Sequence, residues 1–384
     1  MKHRLALPFA FLLGCGSSSS AATPANDAGV DAAGDASDDT SVADAFVDPN
    51  TPYEHSVLAA RWTKLATGPA VSGKAKQDDV FFTSPNVGYA ASGPTSSIWK
   101  TSDGGATWAK VFTHAGTYFR AVAFLDDMHG FAGNLGAGLT PSITDTTPLY
   151  ETKDAGVTWT PVTTISGPAA PGICNLTVID ATHLVAVGRA NGPSNMLTSS
   201  DAGATWTSID LSAKFAMVID ARFTSPNDGL LIGMDAAQGV CTVMHTGDGG
   251  NSFDTVFSSK TKTSLCWKMS FPSNDVGYVA VQDTTFGPGT FAKTTDGGKS
   301  WVELPLPTPG SAKGAYPAIG IGFITEKVGW VSPEDPLLPT YVTSDGGNTW
   351  TVDPALKSPI NRFRFVNKNT AYAIGGAVWK LDIP

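Results

Sequence analysis

Hydrophobic side chains fall along this chain in three regimes. Leu5–Leu13 is an apolar run of nine residues. Residues 16–55 carry almost no large apolar side chain and consist mainly of Ser, Ala, Asp, Gly, Thr and Pro. From Arg61 onward, short apolar runs alternate with polar clusters of turn-forming residues, a pattern that predicts short strands and tight turns. This third regime is periodic. The octapeptide Thr101-Ser102-Asp103-Gly104-Gly105-Ala106-Thr107-Trp108 recurs at Thr152–Trp159, Ser199–Trp206, Thr246–Phe253, Thr294–Trp301 and Thr343–Trp350. Its aspartates are Asp103, Asp154, Asp201, Asp248, Asp296 and Asp345, spaced by 51, 47, 47, 48 and 49 residues. A second unit lies upstream of each octapeptide: a Phe, then six residues on a Gly that opens an aromatic or aliphatic run. It reads Phe82…Gly88-Tyr89, Phe124…Gly130-Phe131, Phe223…Gly229-Leu230, Phe271…Gly277-Tyr278 and Phe323…Gly329-Trp330, with weaker copies at Val178…Leu184 and Phe365…Ala371-Tyr372.

A period near 48 holding about four short strands suits the blades of a β-propeller better than a helical solenoid. In the first period the expected strands are Asp79–Phe82, Gly88–Ser92, Ile98–Thr101 and Thr107–Phe112, with the octapeptide as the last turn. Seven upstream units stand against six octapeptides, and the last unit stops after three strands, Phe363–Phe365, Ala371–Ile374 and Ala377–Leu381. Arg61–Leu65 reads like a fourth strand, since Trp62 lies in register with the repeat, 46 residues before Trp108. The expectation is therefore an all-β fold, a single seven-bladed β-propeller whose last blade is closed by the N-terminal strand near Trp62. Closure removes exposed sheet edges at the ends of the ring.

Composition supports this reading. Charged residues are 15% of the chain while Gly (41) and Pro (26) are plentiful, as short strands and many turns require. The net charge of −9 is unevenly placed. Residues 16–60 carry −8 with no Lys or Arg, the first fifteen carry +2, and the remainder is close to neutral at −3. No large basic field exists for nucleic acid, and that class is set aside. A chain as polar as 16–55 cannot bury enough surface to offset its ordering entropy. It is expected to be a disordered acidic tether of ~35–40 Å mean reach.

The N-terminus reads as an export signal. Lys2 and Arg4 precede the apolar run, which falls well short of the roughly 20 residues needed to span a bilayer. Leu12-Leu13-Gly14-Cys15 resembles the bacterial lipobox. The resemblance implies a signal peptide over 1–15, lipidation of Cys15 and a membrane attachment through that lipid. Gly16 after the Cys implies, by the same resemblance, the outer membrane. The propeller domain is then expected over 56–384. Cys174, Cys241 and Cys266 remain. An exported protein sees an oxidising compartment, so one disulfide among the three possible pairings is open, as are buried free thiols.

The octapeptide, Ser/Thr-x-Asp-x-Gly-x-Thr/Ser-Trp, resembles the Asp box, or bacterial neuraminidase repeat. Such boxes occur in sialidases, sortilin-like receptors, some glycoside hydrolases and propellers like the photosystem II assembly/stability factor. The Phe…Gly-Tyr-Ala unit and the single seven-blade ring most resemble the last group, over about residues 61–384. The six aspartates are read as structural: an Asp bonds its own turn, Gly105 takes a positive φ, and Trp108 buries a ring between blades. Each sits in its own turn, so no two are expected to converge on a metal or substrate. Phe253, in place of Trp, is expected to cost packing only.

Variable loops on a rigid scaffold are where binding usually lives. The long connections, Asn134–Pro148, Pro161–Gly172, Gln282–Gly289, Pro305–Pro317 and Pro333–Pro339, place the candidate face opposite the Asp boxes. There the innermost strands begin with Tyr118 and Arg120, Trp267 and Lys268, Tyr316, and Asn361, Arg362 and Arg364. Arg222 lies one position before its blade's Phe. Arginines and aromatics suit a carboxylate, sugar or peptide, or they are solvated strand ends with stacking partners. The resemblance implies a basic patch that holds a partner protein. A sialidase would need three converging arginines, a Tyr–Glu pair and an acid Asp, usually on six blades. No Tyr–Glu pair can be assigned, but Asp78, Asp79 and Asp220 near inner-strand starts leave an acid pair open. No metal spacing, nucleophile elbow or phosphate loop is present, and no cofactor or metal is expected. The sequence favours a non-catalytic envelope lipoprotein that binds protein or glycan, or serves as an assembly scaffold. A glycoside hydrolase acting on surface glycans is the alternative.

Overall fold

A computed structural model describes residues 50–384 apart from 74, 190–191, 286 and 308–315. The expected signal peptide with Cys15, and the tether up to residue 49, lie outside the described residues. Within them the chain forms seven sheets. Blade 1 comprises Asp79–Phe82, Gly88–Ser92, Ser97–Thr101 and Ala109–Thr113. Blades 2 to 6 begin at Phe119, Asn175, Phe215, Ser264 and Ala318. Blade 7 comprises Ile360–Asn367, Thr370–Gly375 and Val378–Asp382, and its outer strand is Trp62–Lys64, paired antiparallel with Trp62 opposite Leu381. First strands of consecutive blades pack on one another right round the ring, blade 7 against blade 1 included. The seven-bladed propeller and its closure are as expected.

Close packing explains the upstream repeat. The Phe that ends strand one lies over the Gly that opens strand two, so a Cβ on Gly88 would stand 2.5 Å from the Phe82 ring. The same collision would occur at Gly130, Gly229, Gly277 and Gly329. The next residue then joins blades. Tyr89 stacks on Phe124 of the following blade at 3.8 Å, and its hydroxyl donates to the Ala155 carbonyl in that blade's box at 2.9 Å. Tyr278 stacks on Phe323 at 3.5 Å and donates to Glu326 O at 2.7 Å. Tyr372 closes the ring by stacking on Phe82 at 3.8 Å and donating to Gly104 O at 2.7 Å. Buried rings supply apolar area, and the hydroxyl bond keeps each polar tip satisfied.

Every box packs on the turn between strands one and two of its own blade. The recurring bond is Gly104 N–H to Asn86 O, Ala155 to Met128, Ala202 to Thr182, Gly249 to Asn227, Gly297 to Asp275 and Gly346 to Lys327, all 2.8–2.9 Å. Boxes and short turns thus share one face, and the long connections share the other.

Two details depart from expectation. Ile165–Ser166, in the connection after blade 2, pairs parallel with Trp206–Thr207 and gives blade 3 a fifth strand. Ordered structure also starts before the boundary expected at 56: Pro52–Ala59 is a helix. Thr51 and Glu54 cap it reciprocally and Pro52 opens it, a local signal that a reading based on apolar content passes over. Glu54 is buried and accepts a bond from Thr325 Oγ1 at 2.8 Å, which docks the helix on blade 6.

Candidate functional site

Five innermost strands carry a bulge near their long-loop ends. The register skips between Phe119 and Ala121, Val218 and Asp220, Cys266 and Met269, Ala318 and Gly320, and Ile360 and Arg362. A bulge leaves one residue unpaired and re-aims its neighbours. Arg120, Trp267, Lys268 and Asn361 are such residues, and Asp220 and Arg362 follow directly. The axis is therefore furnished by side chains that ladder alternation alone would not bring together.

They meet in a buried charge network. Asp78 accepts from Arg120 Nη1 at 3.1 Å, with exposures of 0% and 4%. Arg362 reaches Asp220 with both terminal nitrogens, at 3.1 and 3.2 Å, and its Nε lies 3.3 Å from Asp79. Arg364 donates to Asp79 at 3.0 Å and to Val80 O at 2.9 Å. Asp79 also accepts from Val122 N–H, and Asp220 from Met269 N–H, both at 3.2 Å. Trp267 spans the ring, donating from Nε1 to Asn361 Oδ1 at 2.7 Å, and Arg120 lies 4.9 Å from its ring centre. Burial alone would raise the Asp220 carboxyl, but Arg362 and Lys268 outweigh it and hold it below its ordinary value. Lys268 is 1% exposed, and burial together with Arg362 pushes its ammonium down to about 7.

Tyr118, Arg120, Trp267, Lys268, Arg362 and Arg364 are thus brought together; two other candidates are not. Tyr316 is fully buried within blade 6, its hydroxyl donating to Val331 O and Pro339 O, so it offers no surface. Arg222 lies toward the box face, stacked on Phe271 and bonded to Asn274 Oδ1 at 3.0 Å. Asp79 and Asp220 do not form an open acid pair, because both are engaged by Arg362. The three axial arginines converge, but each is already met by an aspartate.

Above the network lies an apolar mouth not visible in the sequence. Half-buried Tyr118, Leu139, Met217, Met234 and Trp267 pack around buried Leu135, Ile143, Cys174, Ile219 and Leu265. A cleft of about 260 Å³ adjoins it between Pro94, Tyr118, Thr140 and Ile143. These residues come from strands and connections of four blades, and no local pattern links them. Cys241 and Cys266 form a disulfide that joins blades 4 and 5 beside this mouth, and Cys174 is buried and takes no part in it.

The six box aspartates make no such cluster. Each bonds within its own turn: Asp103 Oδ1 accepts from Thr107 N–H at 2.8 Å and Oδ2 from the Thr107 hydroxyl at 2.6 Å. Asp154, Asp201, Asp248, Asp296 and Asp345 repeat the pair. Among the described residues no group of three or more His, Cys, Asp or Glu could hold a metal ion.

The sequence matches no protein-family model and no curated protein. Solved structures do match. YCF48 with a bound D1 peptide is 16% identical, covers 85% of this chain and 97% of its own, and superposes with a TM-score of 0.59. YCF48 from Cyanidioschyzon merolae is 15% identical, covering 84% and 99%, with a TM-score of 0.62. The GH74 xyloglucanase from Xanthomonas campestris is 15% identical with a TM-score of 0.60; 84% of this chain is covered, but it spans only 53% of that enzyme. What the chain shares with these proteins is the fold, a seven-bladed Asp-box β-propeller.

Proposed function

We propose that this chain is a non-catalytic lipoprotein of the cell envelope that docks a protein or glycan on the long-loop face of its propeller. One observation carries the reading: the carboxylates under that face are spent on arginines. A glycosidase keeps one carboxyl free to give its proton and the other free to attack or to activate water. Asp79 and Asp220 are 0% and 1% exposed and share Arg362. The glycoside hydrolase alternative therefore has no catalytic pair to draw on at the axis. What the face does offer is a firm floor beneath an aromatic and Met-containing rim. Such a rim adapts to a partner's apolar groups, and tyrosine and tryptophan add polar tips. That YCF48, of like fold, has been solved with a peptide bound supports a protein partner over a glycan. The signal resemblance at Cys15 supports a lipid anchor and an outer-membrane address, and the Cys241–Cys266 disulfide suits an oxidising compartment. Arg222 and Tyr316 drop out of the docking set, whereas Leu139, Met217 and Met234 join it.

The test is photo-crosslinking from the full-length chain in its native envelope. Probes at Leu139 and Met234 sample the mouth, and a probe at Val157, 72% exposed on a box, samples the other face. Adducts from the mouth alone, lost in Met234→Glu with an unchanged melting curve, are expected. Turnover of any surface glycan that disappears in Asp220→Asn would sink the non-catalytic reading.

A further inference from the structure

The axial network leaves one cation without an answer. Arg120 is met by Asp78, Arg362 by Asp220 and Asp79, and Arg364 by Asp79. Lys268 is the fourth cation among three carboxylates. Its Nζ is buried and, among the described residues, has neither a hydrogen-bond partner nor a carboxylate at ion-pair distance. The charged groups facing it come from all round the channel. They are Asp78 and Asp79 of blade 1, Arg120 of blade 2, Asp220 of blade 4 and Arg362 of blade 7. Tyr118 and Cys174 stand beside Arg120. All three carboxylates are already bonded to guanidinium groups, and none of them lies at ion-pair distance from the ammonium.

A buried ammonium with no partner is strongly disfavoured, and there are two ways out: it sheds its proton, or an anion joins it. Burial and Arg362 bring its titration down to about 7, so both forms are within reach near neutrality. A propeller's central channel gives small solutes a path to the axis. We propose that the channel binds one small monovalent anion, of the size of chloride, against Lys268 Nζ. A single charge suits the single unmatched cation, and the surrounding carboxylates disfavour a larger or more highly charged ion. This site lies below the docking mouth and does not depend on what docks there.

Bromide is the direct probe. Crystals of the full chain grown in bromide should show an anomalous peak beside Lys268 Nζ. In solution, replacing gluconate by chloride at constant ionic strength should raise Tm in a concentration-dependent way at pH 6, with a smaller gain at pH 9. The sign follows from linkage. In gluconate the folded pKa is lowered, so between about 7 and 10.5 the unfolded chain holds a proton that the folded chain has lost, and stability rises with pH. Chloride holds that proton in the folded state and flattens the rise. Lys268→Met removes the charge at similar volume and should abolish both effects while the near-ultraviolet spectrum stays native. If that variant fails to fold, the bromide map of the unaltered chain decides alone. No axial bromide, or an equal chloride gain in Lys268→Met, overturns the proposal.

Discussion

Asp201 is solvent-exposed, yet its carboxylate takes the backbone N–H of Thr205 at 2.9 Å, the Thr205 hydroxyl at 2.6 Å and the Ser199 hydroxyl at 2.8 Å. The Thr205 hydroxyl and amide draw its pKa down, and the equivalent serines bring Asp248 and Asp296 to about 2. The folded-state values lie below those of the unfolded chain. The boxes therefore stabilise the fold above about pH 4 and lose that contribution as pH falls toward 2. Asp201→Ala should lower Tm by a few degrees at pH 7, with the gap to the unaltered chain closing toward pH 2. Equal melting curves at pH 7 would remove the structural role. The box indole does more than fill space: Trp159, Trp206, Trp301 and Trp350 each donate to the carbonyl of their box's second glycine position at 3.0–3.2 Å. Phe253 has no such donor, so that substitution costs a hydrogen bond as well as packing, contrary to the sequence-based expectation.

Between elements, the ties run from strand two of one blade to the box of the next, through Tyr89, Tyr278 and Tyr372. The disulfide adds a covalent tie. Cys241 opens the third strand of blade 4 and Cys266 lies in the first strand of blade 5, with Cα atoms 4.6 Å apart. Closing a loop of 25 residues removes unfolded-state entropy worth about 3.5 kcal/mol. Urea unfolding of the Cys241→Ser/Cys266→Ser chain should show a midpoint lowered to match, and removing Cys174 in addition should not substitute for that loss. A midpoint identical with and without the disulfide would mean that the blade 4–5 junction is held by packing alone. Three cysteines spaced along a sequence do not disclose their pairing, because it depends on which blades become neighbours.

At the scale of the whole molecule, Trp62 anchors the strand that completes the last blade. Trp62 is 4% exposed and meets Trp330 edge-on at 5.3 Å and Phe363 at 5.9 Å. Its packing is with blades 6 and 7, some 270–300 residues away in the chain by the spacing of those numbers. Trp62→Ala should cost about 3–5 kcal/mol, typical of a buried Trp truncation, and should raise susceptibility to proteolysis at both chain ends of the domain together. Calorimetry and limited digestion check this; loss confined to the N-terminal strand, with the remaining blades melting as before, would show that closure does not stabilise the ring.

The period, the blade count, the closing strand and the two faces were all legible in the sequence. They rest on local physics: strand-length apolar runs, an Asp turn that satisfies itself, and a Gly that admits a Phe ring. The axial residues were legible as positions but not as a state. Arg362 and Asp220 are 142 residues apart, and Asn361 and Asp78 are 283 apart. Only ring closure and the bulges bring them within bonding distance. The tertiary structure therefore decided that the arginines face aspartates rather than open solvent, and that Lys268 is left over. It also gathered an apolar mouth from four separate blades. Local chemistry sets how each blade folds, whereas the pairing of buried charges depends on which strands share the axis.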